Sequence, residues 1–123
     1  MTEGSNIKSF RDLNIWQKTK AYAVALYKVT EQFPRSELYG LTNQIRRAAV
    51  SMPANIAEGF RRKTKKEKLQ FLRIAYGSGA ELETHLEISR DLNYLPETSY
   101  ANLALELESI MKMMNSALRS LES

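Results

Sequence analysis

Apolar residues recur at helical spacing along most of the chain, and the pattern is most regular near its end. The steps there alternate between three and four residues, which places the side chains on one helix face, as at the seam of a bundle or coiled coil. These residues are Tyr100, Leu103, Leu107, Ile110, Met114, Ala117 and Leu121. Pro96 suits the first turn of a helix, so the stripe predicts a helix from about Pro96 to Leu121.

The first helix is predicted from about Phe10 or Asp12 to Phe33, and Pro34 ends it. It carries two apolar stripes that are displaced around its axis. One stripe is Ile15, Tyr22, Leu26, Val29 and Phe33, and the other is Leu13, Trp16, Ala23, Val24 and Tyr27. Either the second stripe is buried against another subunit, or both stripes form one broad side facing the monomer's own core.

Ser36 is a natural N-cap for a second helix, with Glu37 in its first turn, where a negative charge favours the helix dipole. This helix contains the segment LTNQIRRAAVSMPANIAEGF, residues 41–60. Pro53 has no N–H to donate inside it, which predicts a kink. Asn55 can satisfy backbone groups near the proline, and Gly59 can end the helix.

A third helix is predicted to start near Lys65, because Thr64 and Glu67 have the spacing of a capping box. Gly77 and Gly79 lie in the middle of its apolar pattern. Each glycine inside a helix costs about 1 kcal/mol relative to alanine. We therefore expect another helix to cross close to this point.

These elements predict an all-α fold, an up-down-up-down antiparallel four-helix bundle with a proline kink in the second helix. No strand pattern competes with the helical one. The bundle is expected to occupy residues 10–123 as a single domain, after a disordered or irregular N-terminal tail of residues 1–9.

Several segments resemble one known family in the right order along the chain. They are FRDLNIWQKT, FPRSELYGL, QIRRAAVSMPANIAEG, IAYGSGAELETHL and DLNYLPE. The third is similar to the signature of the proteins encoded in intervening sequences of 23S ribosomal RNA genes, a family that includes the accessory proteins of diversity-generating retroelements. Pro53, Asn55, Glu58 and Gly59 fall within that signature, whereas Gly79 stands where a bulkier residue is usual.

The resemblance implies a basic, helical, pentameric protein, and within the family only the retroelement branch has a clear role. In that branch, the ring of five subunits is thought to serve a reverse transcriptase while it also contacts nucleic acid. A homo-oligomer of five subunits is thus an expectation taken from the family alone.

Charge is separated along the chain, although the net charge is only +4. Residues 34–68 contain nine Lys or Arg against three Asp or Glu, whereas residues 69–123 contain four against eight. The basic segment supplies the candidate nucleic-acid-binding residues Arg46, Arg47, Arg61, Arg62, Lys63, Lys65 and Lys66. Such a patch would bind phosphates without reading bases, and the alternative is a basic loop that is merely solvated.

Residues with catalytic or metal-binding chemistry are scarce. There is no cysteine, and His85 is the only histidine, so neither a thiolate site nor a His-rich metal site can form within one chain. We expect His85 to make a polar contact at a helix interface and Glu58 to pair with Arg46 or Arg47. The prediction is a protein with no catalytic residue, no metal and no cofactor.

The chain has no apolar stretch of secretory or membrane-spanning length, so the expected location is the cytoplasm. Two functional classes follow from the basic segment. One is a non-enzymatic accessory protein that binds RNA or DNA non-specifically. The other is a scaffold or adaptor that docks an acidic protein, such as a reverse transcriptase.

Overall fold

The computed structural model describes residues 7–123, which contain four α-helices and no strand. The helices are α1 (Asn14–Thr30), α2 (Leu41–Phe60), α3 (Lys65–Asp91) and α4 (Glu97–Glu122). The predicted all-α class with four helices is therefore confirmed. Residues 1–6 of the predicted tail lie outside the described residues, and Ser9 caps a short 3₁₀ helix at Phe10–Asp12.

The connection between α1 and α2 differs from the prediction at both of its ends. Helix α1 stops at Thr30, and Phe33 lies in the following turn, buried against the ring of Tyr94. Ser36 does not cap α2, because Arg35–Glu37 forms a separate 3₁₀ helix and α2 begins only at Leu41. A short turn thus occupies residues that the sequence assigned to helix.

Glu37 acts at the start of α2 from outside the helix. Its Oε1 accepts a hydrogen bond from the backbone N–H of Leu41 at 3.1 Å. Its Oε2 accepts one from the hydroxyl of Tyr94 at 3.1 Å, which ties the α1–α2 and α3–α4 connections together. This hydrogen bond is also the main reason that the pKa of Tyr94 is raised.

Helix α3 begins where predicted. The side chain of Thr64 accepts a hydrogen bond from the backbone N–H of Glu67, which supplies a partner for one of the helix's first N–H groups. That hydrogen bond is one half of a reciprocal capping box. The carboxylate of Glu67 accepts from the Thr64 hydroxyl at 3.0 Å, whereas the second half of the box would need the Thr64 backbone N–H as donor.

The two glycines of α3 have different surroundings. A Cβ atom on Gly79 would lie 2.3 Å from the sulfur of Met111, so α4 does approach closely there. A Cβ on Gly77 would meet nothing within 4 Å. The predicted close crossing is confirmed at Gly79 and is wrong at Gly77, because Gly77 lies on the exposed side of the helix.

The core is formed where α1 packs against α2 and α4, and α3 packs against the same two helices. Tyr22 is fully buried, and its hydroxyl donates to the backbone carbonyl of Leu103 in α4 at 2.7 Å. Arg73, early in α3, pairs with Glu122 at the end of α4. Such contacts agree with antiparallel neighbours, while the full up-down-up-down order stays a prediction.

Candidate nucleic-acid interface

Four exposed cations of the basic segment lie close together, in the short connection between α2 and α3 and in the first turn of α3. Lys63 and Lys66 are exposed, and neither has a hydrogen bond or ion pair within residues 7–123. Lys65 is also exposed, and its ammonium donates to the backbone carbonyl of Ser123 at 3.2 Å. These three lysines can reach an external anion without breaking an ion pair.

The two arginines of the connection are held by aromatic rings. Arg61 lies 5.2 Å above the ring of Phe10. Because Arg61 is also exposed, its charge is accessible from solvent despite this contact. Arg62 lies 4.8 Å above the ring of Phe71 and forms an ion pair with Glu58, one helical turn earlier. Arg62 thus has structural partners that the lysines lack.

The expected partner of Glu58 needs a correction. Sequence reasoning paired it with Arg46 or Arg47, whereas the structure pairs it with Arg62. The reason is geometric, because residues four apart on a helix are neighbours, while Glu58 lies about three turns from Arg46 and Arg47.

Arg46 and Arg47 lie near the opposite end of α2. Arg46 and Arg61 are separated by about 22 Å along the axis, because each helical residue adds about 1.5 Å. Arg46 packs over the ring of Tyr27 and donates to the side chain of Thr30 at 2.9 Å. Arg47 is exposed. The structure therefore does not bring these two arginines together with the connection.

Lys68 is a residue of this region that sequence reasoning left out. Its ammonium donates to the backbone carbonyls of Phe60 at 3.0 Å and Gly59 at 3.5 Å, in the last turn of α2. A Cβ on Gly59 would lie 3.1 Å from that of Phe71, so glycine permits a close approach of α2 and α3. The helix continues one residue past Gly59, to Phe60.

The proline segment contains a polar cluster between α2 and α3. Helix α2 continues through Pro53, and the predicted kink stays a prediction. The amide of Asn55 donates to the carbonyl of Ser51 at 2.8 Å and to its hydroxyl at 3.0 Å. Ser78 of α3 donates to the same hydroxyl at 2.8 Å. Asn55 thus bonds to Ser51, whereas the carbonyl that loses its donor to Pro53 is that of Ala49, so the predicted satisfaction of that group stays a prediction.

His85 faces a carboxylate on its own helix. Its Nε2 lies 3.1 Å from Oε2 of Glu81, and its buried Nδ1 has no partner in the described part of the chain. The predicted polar contact is therefore made with a residue one turn earlier in α3, and the His85 side chain is largely buried. Among residues 7–123, no group of three or more His, Asp or Glu side chains converges as a metal site would require. None of the described helices is long and apolar enough to cross a bilayer.

A cleft of about 800 Å³ opens beside the basic connection. Its floor is apolar and includes Leu13, Ile56, Phe60 and Leu121, at the end of the bundle where α1 starts and α4 stops. Periodicity could not reveal this cleft, because the same residues read as ordinary core positions.

The sequence of the chain matches the family described as 23S rRNA-intervening sequence protein over residues 11–116. That range includes the proline segment, the basic connection and most of all four helices. The chain belongs to this family. The family predicted from the sequence motifs is therefore confirmed.

One solved structure similar to this chain is a protein of unknown function from the S23 ribosomal protein family of Bacteroides thetaiotaomicron VPI-5482. The two chains are 23% identical and superpose with a TM-score of 0.76, over 85% of this chain and 97% of that one. At this identity the likeness shows that the fold is shared. No curated protein matches the sequence.

Proposed function

We propose that this family member is a non-enzymatic, homo-oligomeric accessory protein of the cytoplasm that binds nucleic acid without sequence preference. The proposed site is the connection between α2 and α3. Lys63, Lys65 and Lys66 would contact phosphates directly, and Arg61 would add to the local positive potential.

The observation that carries the proposal is the exposure of Lys63 and Lys66 without any partner in residues 7–123. No residue of the range 7–123 holds either ammonium group. A phosphate can therefore bind them without competing against an internal carboxylate. Binding would release counterions from the nucleic acid, which gives affinity that falls steeply with salt.

Repetition of the site would strengthen binding. If the expected assembly of five subunits holds, five basic connections act on one polyanion, and the second and later contacts become intramolecular. The family's name refers to 23S rRNA, so RNA is the first ligand to test. No base-reading motif accompanies the cations, and phosphate contacts carry no sequence information directly.

The test compares two variants that remove the same charge at opposite ends of α2. The first is Lys63→Gln with Lys66→Gln, and the matched control is Arg35→Gln with Arg47→Gln, which are also exposed. Affinity for a mixed-sequence RNA is measured across a salt series. The first variant should bind more weakly and with a shallower slope of log affinity against log salt, whereas the control should stay close to the parent.

Three results would change the conclusion. Equal losses in both variants would mean that only total charge matters, and unchanged binding in the first variant would make the connection a solvated loop. A parent that fails to bind RNA and DNA even at low salt would favour the second function, an adaptor whose basic surface docks an acidic protein such as a reverse transcriptase. Light scattering of the parent tests the assembly separately.

A further inference from the structure

Two grooves on the bundle surface are lined by apolar residues together with charged residues, and the sign of the charge differs between them. The first, here called the lysine groove, lies between α1 and α2 and has a volume of about 490 Å³. It is lined by Lys20, Val24, Tyr27, Lys28, Val50 and Pro53. Val24, Tyr27 and Val50 are 48%, 42% and 44% exposed, which leaves an apolar strip between two ammonium groups.

The second groove, here called the glutamate groove, lies between α3 and α4 and has a volume of about 380 Å³. Its lining includes Glu83, Glu87, Ala101, Ala104, Leu105 and Glu108. Leu105 is 68% exposed, more than any apolar residue of the lysine groove. It is a large apolar side chain that projects from the bundle with carboxylates around it.

The charges of both grooves are available for an external partner. In the described part of the chain, Lys28, Glu83, Glu87 and Glu108 take part in no ion pair. Lys20 lies 5.1 Å from the ring centre of Trp16, a contact that leaves its ammonium exposed. Neither groove therefore neutralises its own charge.

The grooves lie on opposite sides of the bundle. Helix α1 packs against α2 and α4, and α3 packs against α2 and α4, so the α1–α2 side and the α3–α4 side cannot be the same. Two different surfaces that complement each other favour a head-to-tail contact between identical subunits. Such contacts form closed rings when the rotation closes and filaments when it does not.

We propose that the lysine groove of one copy binds the glutamate groove of the next copy, with Leu105 inserted between Val24 and Val50. Burial of exposed apolar side chains would stabilise the contact. Opposite charges at its rim would fix its orientation and disfavour contact of a groove with its own kind. This inference rests on the proposed homo-oligomer and names the surfaces that build it.

The experiment uses charge reversal in the full chain. One variant carries Lys20→Glu and Lys28→Glu, which destroys only the lysine groove, and the other carries Glu83→Lys and Glu108→Lys, which destroys only the glutamate groove. Light scattering at micromolar concentration should give the monomer mass for each variant alone. A head-to-tail contact then predicts that mixing the two variants restores association, because their intact grooves pair with each other and their two reversed grooves are complementary as well.

Combining all four substitutions in one chain should restore the parent mass, since the charges are again complementary. A matched control, Lys18→Glu with Arg35→Glu, changes the same charge at exposed positions outside both grooves and should keep the parent mass. Leu105→Ser tests the apolar part of the contact and should lower the mass without loss of helical circular dichroism.

The outcomes separate this contact from the assembly itself. An oligomeric parent whose mass survives both charge reversals would overturn the proposed contact and leave the homo-oligomer intact. A monomeric parent would overturn both. Failure of the four-fold variant to regain the parent mass, with its helical content preserved, would also reject the pairing of these grooves.

Discussion

Alanine substitutions at Gly77 and Gly79 should change stability by different amounts, although the two residues lie on one helix and are separated by one position. Alanine is favoured over glycine inside a helix by about 1 kcal/mol. Gly77 has open space around its missing Cβ, so Gly77→Ala should raise the free energy of unfolding by about 1 kcal/mol.

Gly79→Ala has the same backbone advantage and an added cost. Its Cβ would lie 2.3 Å from the sulfur of Met111 and 3.3 Å from the terminal methyl carbons of Met111 and Met114. Extra atoms in a packed core cost about 1–3 kcal/mol. Methionine is flexible and can move, which favours the low end of that range. The net change should lie between about zero and a loss of about 2 kcal/mol.

Urea denaturation at one fixed protein concentration measures both variants, because assembly makes apparent stability depend on concentration. A double-mutant cycle with Met111→Ala isolates the crowding by Met111, since Gly79→Ala should be less costly, or stabilising, once the sulfur is gone and only the Met114 methyl remains at 3.3 Å. Equal shifts for the two single variants in the parent background would refute the reasoning.

Three further predictions concern other buried or half-buried contacts. Asn55→Ala should destabilise the protein by roughly 1 kcal/mol in thermal or urea unfolding. Two hydrogen bonds to Ser51, worth about 0.5–1.5 kcal/mol each, are lost, and the higher helix propensity of alanine offsets part of that loss. Unchanged stability would contradict this prediction. Pro53→Ala restores an N–H donor to α2 but should lower either the melting temperature or the assembled mass, because Pro53 lines the lysine groove. If both quantities keep the parent value, Pro53 has no role in stability or assembly. Burial, with smaller effects from Glu106 and Glu83, raises the pKa of Tyr22 above its usual value of 10.0, so the parent should lose stability above about pH 10, where only the unfolded phenol ionises. Tyr22→Phe should be about 1 kcal/mol less stable at neutral pH, and its difference from the parent should shrink as pH rises past 10; a difference independent of pH would show that Tyr22 does not titrate on unfolding.

Helices α3 and α4 could be predicted closely because their signals are local. The hydroxyl of Thr64 meets an N–H only three residues away, and Pro96 immediately precedes the start of α4. The predicted start of α2 was wrong because the segment before this helix depends on a contact between residues that are far apart in the chain. Glu37 reaches Leu41 from a separate turn and is also held by Tyr94, which is far away in the chain.

The sequence by itself determined the helical class, the family and the location of the strongest basic segment, because periodicity, motifs and charge are all written along one dimension. Only the tertiary structure decided which cations are available. It placed Arg46 against Tyr27, paired Arg62 with Glu58 and left Lys63 exposed, and it distinguished Gly79 from Gly77. Availability depends on which side chains of other helices lie within a few ångströms, and that distance in space is not fixed by separation along the chain.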